Sequence, residues 1–580
     1  MSGNLGATGV APGGARVAGD SSRVSWVRLR AYWGSPTGIV ILAFTLLALA
    51  LRFFTLTRSG YLTGVTEYDD GVYLGGAIRL LQGALPYHDF AFVQPPGILL
   101  LMVPVALLTK ITTTAHAMAA ARILTVLAST ACVPLAGGLM RYRGTLVTLV
   151  TCGFLAVYPD DITTAHTLIL EPWMNLLAIA GVCLAFHQGR LAGPRRLLWA
   201  GVLIGVAGSV KFWAGLPAVV LLVVCLLPVG DPGVSLADRR RRALRYVYGL
   251  LIGFLVPVLP FALTAPTRFV RSTLMDQVSR AGSYVPRSMR LAHITGLIDF
   301  LSGKAHLTLN AGTHSLFASG GAAATPGTSA GWLPYLAFLI GAIVIAAGYL
   351  LQPGKPSPLE SFALVTTVLA TGAIIFYSAF FYHYPDFGAP WIAISVGGAF
   401  GALSSGKLAD WLGARFPAIK GFAGGGAAAA RAWLTGVIAV FLVLLAAFQA
   451  REISGLAAPD IYHDQAAIPA GSCVVTDQIS LAIAADRFTA TRPGCPDVLD
   501  ALAETLVLSN GVSIQGGAAK HPEVVAAWQS ILGKADYVWL SPNNWRRIPW
   551  TDQLTSWFKA NFVELPASHS VGQVYKRIGA

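Results

Sequence analysis

The sequence predicts a mainly α-helical protein that crosses a membrane about eleven times and carries a small α/β domain at its C-terminal end. Hydrophobic residues make up 55% of the 580 residues and charged residues only 12%, too few to cover a water-soluble protein of this size. The formal net charge of +14 comes from Arg and Lys in short links between apolar segments. This placement is typical of membrane topology and argues against nucleic-acid binding.

The predicted spans are apolar segments bounded by polar or basic links. They are residues 38–54, 117–139, 145–157, 172–186, 197–210, 212–227, 246–263, 332–351, 361–381, 387–403 and 433–449. With the N-terminus in the cytoplasm, the basic links between these spans fall on the cytoplasmic side, as the positive-inside rule requires. Residues 96–108 would reverse this parity if they crossed, so they are predicted to form a helix at the outer surface.

Composition divides the chain into three regions. Residues 1–35 are rich in Gly, Ala, Ser and Arg and are predicted to be a disordered cytoplasmic tail. Residues 36–450 are predicted to form the membrane domain, with external loops at 57–116 and 265–331. Residues 451–580 are predicted to form an extracytoplasmic α/β domain.

The C-terminal region has the patterns of two buried strands, at residues 472–477 and 535–541, with a helix around residues 521–532 between them. It also holds Cys473 and Cys495, while the other four cysteines lie in apolar segments. Because the outside of the cell is oxidising, this pair is predicted to form a disulfide.

The first external loop carries three acids within four residues, Glu67, Asp69 and Asp70. Such charge at a membrane surface is costly unless it is solvated or used. The simple alternative is a hydrated loop whose acids cap a helix that begins near Gly71.

Further polar residues stand at the predicted outer ends of apolar segments. Glu171 precedes a proline at the start of the fourth span, where helix capping is the simple alternative. Lys211 interrupts residues 197–227, and snorkelling to lipid head groups would also explain it. His383 and Tyr384 precede the tenth span, and an aromatic belt explains the tyrosine but not the histidine.

Two other external segments are polar. Asp160 and Asp161 lie at a turn and are predicted to be solvated, outside the site. The loop at residues 265–331 carries more basic than acidic residues, Arg280 and Arg287 among them, which violates the charge rule for external loops. This excess predicts an anionic ligand or lipid head group.

The predicted topology brings these residues to one side of the membrane. An acid that acts as general base, with cations for a leaving phosphate, is the requirement for moving a sugar from a lipid phosphate to a hydroxyl group. A proton-coupled transporter would instead place acids near the bilayer midplane and contain repeats. The sequence has neither feature.

The chain resembles the GT-C superfamily of membrane glycosyltransferases, with most likeness to the protein O-mannosyltransferase and aminoarabinose-transferase branch. The resemblance covers about residues 38–403 and lies in the order of five short motifs. These are Glu67-Tyr68-Asp69-Asp70, Gln94-Pro95-Pro96, Leu170-Glu171-Pro172-Trp173, Gly208-Ser209-Val210-Lys211 and His383-Tyr384-Pro385.

The resemblance implies a role for each motif. Asp69 or Asp70 would be the general base, and Asp70 is preferred for its position next to the helix start. Glu171 would orient the acceptor or bind a metal. The implied donor-phosphate residues are Lys211, Arg280, Arg287, His383 and Tyr384, and the implied acceptor or loop-supporting residues are Glu67, His88 and Gln94.

Two departures from the family pattern leave the use of a divalent metal open. Gln94 stands where the branch often has a charged residue before its Pro-Pro pair, and His383 stands where it typically has an arginine. No other cofactor is implied.

The resemblance implies a polyprenyl-phosphate sugar as donor and an envelope glycan, lipid or protein as acceptor, at the cell membrane. The Ala, Gly, Val and Arg bias resembles actinobacterial envelope enzymes, which suggests mannose or arabinose as the sugar. Two alternatives stay open: a transporter or flippase of lipid-linked sugars, and an inactive envelope scaffold that binds glycan.

Overall fold

The computed structural model describes residues 34–228, 233–279, 285–298, 331–352, 354–404, 427–458, 461–566 and 571–579. Residues 1–33 of the predicted cytoplasmic tail, Arg280 and most of the loop at residues 265–331 lie outside the described residues. The helices of the membrane region are α1 (Pro36–Leu56), α2 (Asp69–Leu81), α3 (Gly97–Ala106), α4 (Thr114–Met140), α5 (Thr145–Val157), α6 (Pro159–Ala165), α7 (Leu170–Ala185), α8 (Pro194–Val210), α9 (Gly215–Leu226), α10 (Leu236–Thr264), α11 (Pro266–Val270), α12 (Asp276–Ser279), α13 (Arg287–Ile294), α14 (Leu333–Leu351), α15 (Pro358–Phe376), α16 (Tyr384–Leu403) and α17 (Ala427–Ser454).

Each predicted span coincides with a helix over most of its length. Within the described residues, six helices are long and apolar enough to cross a membrane, or seven if the pair α5 and α6, bent by 52°, is one span. The count of about eleven spans therefore stays a prediction. Helix α3 has 10 residues and continues as a short 3-10 helix, Leu107–Lys110, and its place at the outer surface stays a prediction.

Helices α8 and α10 pack unusually closely, and this contact positions Lys211 at the end of α8. A Cβ atom on Gly201 would lie 2.2 Å from a backbone oxygen of α10, and one on Gly249 would lie 1.9 Å from a backbone oxygen of α8. Only glycine allows such an approach, as in other membrane helix pairs with small residues at the interface. Lys211 then leaves the helical conformation, with φ −152° and ψ 131°, before the chain turns into α9.

The end of the bundle that carries the predicted cytoplasmic links is also well connected. Arg143 pairs with Glu360 at 3.0 Å, and the Tyr142 hydroxyl lies 3.0 Å from the Ser357 hydroxyl. Ser357 and Glu360 form a capping box at the start of α15. These contacts place links predicted on the same side of the membrane next to one another.

The C-terminal domain follows α17, which runs a few residues past the predicted boundary at 451. Its sheet has the strand order β3 (Val474–Thr476), β4 (Tyr537–Leu540), β6 (Gln573–Arg577), β5 (Phe562–Glu564). Strands β3 and β4 are parallel, and the other pairs are antiparallel. The buried Trp528 and Trp539 lie in its interior. The predicted disulfide between Cys473 and Cys495 is confirmed.

The remaining elements of the chain are short. They are β1 (Phe186–His187), β2 (Arg190–Leu191), α18 (Tyr462–Ala467), β3 (Val474–Thr476), α19 (Ile479–Ala484), α20 (Ala501–Leu508), α21 (Pro522–Gly533), β4 (Tyr537–Leu540), α22 (Asp552–Asn561), β5 (Phe562–Glu564) and β6 (Gln573–Arg577). The strands predicted at residues 472–477 and 535–541 are thus present in shorter form.

Candidate functional site

The two adjacent acids of the predicted first external loop form the first turn of α2, where the helix dipole favours negative charge. Asp70 is fully buried and takes three hydrogen bonds. Its Oδ2 accepts from Arg122 at 2.6 Å and from the Thr167 hydroxyl at 2.9 Å, and its Oδ1 accepts from the Ser480 hydroxyl at 2.8 Å. Asp70 thereby joins four separate parts of the chain.

Asp69 has a more open environment than Asp70. It is half-buried, and the Tyr73 hydroxyl donates to its Oδ2 at 3.4 Å. The geometry therefore does not support the preference for Asp70 over Asp69 as a base, because the Asp70 carboxylate is sequestered behind Arg122.

Glu171, Lys211 and His383 form one buried cluster at three helix ends. Lys211 Nζ donates to Glu171 Oε1, and His383 Nδ1 lies 2.7 Å from the same oxygen. Glu171 stands in the first turn of α7 and Lys211 caps the end of α8, positions that favour an acid and a cation respectively. Because the Lys211 side chain is only 6% exposed, it does not snorkel to the surface.

Two features of this cluster are suited to binding a ligand. The Tyr384 ring centroid lies 4.4 Å from Lys211 Nζ, a cation–π contact that holds the ammonium group in place. Glu171 Oε2 is buried and makes no hydrogen bond within the described part of the chain. A buried carboxylate oxygen of this kind can accept a hydrogen bond from a hydroxyl group or bind a cation.

Glu67 connects α2, here called the acid helix, with the cluster of Glu171, Lys211 and His383. Its Oε2 accepts from the Tyr382 hydroxyl at 2.7 Å, and Tyr382 is the neighbour of His383 in sequence. Burial and then the nearby Asp69 raise the pKa of Glu67 to about 7. One continuous electrostatic network thus connects five residues: Asp69, Glu67, His383, Glu171 and Lys211.

The raised pKa of Glu67 predicts a pH-dependent stability. A carboxyl whose pKa rises from 4.5 to about 7 on folding stabilises the folded state fully below pH 4.5 and loses this effect as the pH rises through 7. The melting temperature of the wild type should therefore fall more between pH 5 and pH 8 than that of Glu67→Gln. Glu523→Gln, a change at an exposed acid, is the control. Equal pH slopes in the wild type and Glu67→Gln would contradict the prediction.

The Pro-Pro element lies beside the motif that ends at Lys211. A Cβ atom on Gly97 would lie 2.4 Å from the Ser209 hydroxyl oxygen, so the two segments are in close contact. Gln94 is half-buried, and its backbone oxygen accepts from the Tyr87 hydroxyl at 2.5 Å. Gln94 thus supports the loop through its backbone.

The remaining predicted residues lie further from this network. The His88 side chain is 59% exposed and contacts Asp89, while Arg268 donates to the His88 backbone oxygen at 3.1 Å. Arg287 is exposed, with its guanidinium 5.4 Å from the centroid of the Phe376 ring.

The prediction that Asp160 and Asp161 are solvated is wrong. Both are buried at 3% exposure, Asp161 pairs with Arg52 at 3.0 Å, and Asp160 lies 2.8 Å from His293 Nδ1. The turn that they begin is the short helix α6, which packs inside the bundle rather than on its surface. Tertiary contacts therefore decide their environment.

Sequence reasoning missed Arg122 and Ser480. An arginine inside an apolar segment signals a buried partner, so Arg122 carried a usable signal. Ser480 carried no such signal in the sequence, because it lies 409 residues from Gly71, the residue that it contacts.

Among the described residues, no group of three or more His, Cys, Asp and Glu side chains has an arrangement that could hold a metal ion. The metal-binding role that the resemblance implies for Glu171 stays a prediction.

Comparison with known proteins identifies the fold. No protein-family profile matches the sequence, and no curated protein matches it. The structure resembles ArnT from Cupriavidus metallidurans bound to undecaprenyl phosphate, with a TM-score of 0.54 and 14% identity over 94% of this chain and 99% of the other. It also resembles the Archaeoglobus fulgidus oligosaccharyltransferase AglB in complex with an inhibitory peptide and a dolichol-phosphate, with a TM-score of 0.52 and 13% identity over 95% of this chain and 75% of the other. The GT-C fold predicted from the motifs is therefore confirmed.

Proposed function

We propose that this protein is a membrane glycosyltransferase that moves a sugar from a polyprenyl phosphate to a hydroxyl group of an envelope glycan, lipid or protein outside the cytoplasm. One observation carries the proposal: a half-buried acid, Asp69, belongs to the same network as the buried cation Lys211. The solved structures of the same fold contain undecaprenyl phosphate and dolichol-phosphate, which supports a lipid phosphate as the leaving group.

In the proposed reaction, Asp69 takes the proton of the acceptor hydroxyl as its oxygen attacks the anomeric carbon of the donor sugar. The bond between that carbon and the phosphate oxygen breaks, and the lipid phosphate leaves with the electron pair. Lys211 stabilises the charge on this phosphate with donor hydrogens beyond the one given to Glu171. Attack from the side opposite the phosphate inverts the anomeric centre.

Glu171 orients the donor side of this site. Its Oε1 contacts both Lys211 and His383, so the Lys211 ammonium group is held in one position before the donor binds. Tyr384 packs against the ammonium group and lines the donor groove. Mannose and arabinose are the first sugars to test.

The direct test is transfer of radiolabelled mannose or arabinose from its polyprenyl phosphate in membranes that contain the protein. Formation of a glycosidic bond to an envelope acceptor is expected. Label that crosses a vesicle membrane without forming such a bond would instead indicate a flippase. Binding of glycan without turnover would indicate a scaffold.

Lys211→Met should weaken binding of undecaprenyl phosphate by about 10- to 100-fold, because it removes a charged donor from a buried site. Lys110→Met is the matched control, since Lys110 is exposed at the end of a short helical turn. Titration of both purified variants in nanodiscs measures the effect, and size-exclusion profiles check that they are folded. Unchanged affinity in folded Lys211→Met would remove Lys211 from the donor site.

A further inference from the structure

The C-terminal domain contacts the acid helix α2 through two short segments that the disulfide holds together. The first arm, residues 477–480, follows strand β3, which begins directly after Cys473. The second arm, residues 497–500, begins two residues after Cys495. The bridge thus fixes the start of both arms.

Ser480 of the first arm contacts the first turn of α2 directly. Its hydroxyl oxygen accepts from the Gly71 backbone N–H at 3.2 Å and lies 2.8 Å from Asp70 Oδ1. A backbone N–H in the first turn of a helix has no partner within the helix, so Ser480 supplies the acceptor that the Gly71 N–H needs. A Cβ atom on Gly71 would lie 2.4 Å from the Ser480 backbone nitrogen, which explains why a glycine follows the two acids.

The second arm holds the same helix at two further residues, Tyr68 and Arg79. The Tyr68 hydroxyl donates to Asp500 Oδ1 at 2.7 Å, and Arg79 pairs with Asp497 at 2.6 Å. Asp69 therefore stands between two anchored neighbours, Tyr68 and Asp70.

Arg547 joins the first arm to Tyr68. Its guanidinium carbon lies 4.2 Å from the centroid of the Tyr68 ring, and its Nη1 pairs with Asp477 at 3.1 Å. Asp477 is buried, and it also accepts from the Ser541 backbone N–H at 2.6 Å. The first arm is thus rigidly tied to the sheet of the C-terminal domain.

We propose that the C-terminal domain is an integral part of the active site, and that Ser480 is a positioning residue that sets the place of Asp69 through Gly71 and Asp70. This inference rests on the proposed function in one respect, the role of Asp69 as base. We call the two arms, residues 477–480 and 497–500, together the clamp on α2. A base displaced by about 1 Å loses about 100-fold in rate, so the clamp affects turnover rather than donor binding.

The test compares Ser480→Ala with Ser509→Ala. Ser509 is a matched control because it is also a buried serine of the C-terminal domain, and its hydroxyl donates to the Val512 backbone oxygen within that domain. Hydrogen exchange of the peptide that contains Gly71 is the first readout. Turnover and the stoichiometry of undecaprenyl phosphate binding in nanodiscs are the second.

Ser480→Ala should accelerate exchange at Gly71 and lower kcat by about 10- to 100-fold, with full donor stoichiometry and an unchanged donor KM. Ser509→Ala should leave all four quantities as in the wild type. Full stoichiometry distinguishes misplacement of the base from partial unfolding, which would lower kcat and stoichiometry together.

The inference is overturned if Ser480→Ala exchanges like the wild type, keeps the wild-type kcat, or loses donor stoichiometry in proportion to kcat. A wild type that transfers no sugar would overturn the proposed function instead. The exchange measurement would then still decide whether Ser480 holds the acid helix, since it requires no substrate.

Discussion

Asp69→Asn should lower the turnover of sugar transfer by about two to four orders of magnitude, the usual contribution of a general base. The amide keeps the size of the carboxylate but cannot take a proton from the acceptor hydroxyl. Because the donor phosphate is assigned to Lys211, affinity for undecaprenyl phosphate should stay within a few fold of the wild type. Transfer assays and donor titrations on the same purified protein measure both effects.

Asp89→Asn is the matched control for this experiment. Asp89 belongs to the same predicted external loop, but it is exposed and accepts from the Leu85 backbone N–H at 2.7 Å. Its variant should transfer sugar at nearly the wild-type rate. Full turnover in a folded Asp69→Asn protein would rule out Asp69 as the base, and the same rate loss in both variants would point to the loop fold instead.

Arg122→Met should destabilise the protein by about 3–5 kcal/mol, the usual cost of leaving one partner of a buried ion pair without the other. Neither Arg122 nor Asp70 has an accessible side chain. Arg122 also donates to the Tyr61 backbone oxygen at 2.9 Å, so the substitution removes a hydrogen bond to a second buried acceptor as well. Thermal unfolding in detergent or nanodiscs measures the loss.

Two further variants make this prediction specific. Arg492→Met breaks the ion pair with Asp536, in which the Arg492 side chain is 48% exposed and the Asp536 side chain 22%. This change should lower the free energy of unfolding by only about 0.2–1 kcal/mol. Asp70→Asn in the Arg122→Met background removes the uncompensated charge and should restore part of the stability. Equal losses in Arg122→Met and Arg492→Met would contradict the assigned burial of the Asp70 pair.

The sequence predicted the cluster of Glu171, Lys211 and His383 because each residue interrupts or borders an apolar segment. Charge parity alone then placed them at one end of the bundle. The disulfide was predictable for a similar reason, since Cys473 and Cys495 are the two cysteines in the region predicted to be exposed to an oxidising compartment.

The environment of individual acids was less predictable than their location. Turn propensity suggested that Asp160 and Asp161 are solvated, but Arg52 and His293, distant in sequence, bury and pair them. The choice between Asp69 and Asp70 depended in the same way on Arg122 and Ser480. Local pattern indicates which residue types are present, whereas long-range packing decides which of them stays accessible.

The clamp on α2 also sets the order in which this protein can mature. The chain from Pro36 to Ser454 contains every helix of the membrane region, yet the acceptor for the Gly71 N–H comes from Ser480, 409 residues later. A ribosome inserting this chain therefore completes the whole bundle before the acid helix gains its last support. Nascent and prematurely ended chains carry the acids without that support. Under the proposed function, sugar transfer would therefore begin only once the C-terminal domain has folded and its disulfide has formed.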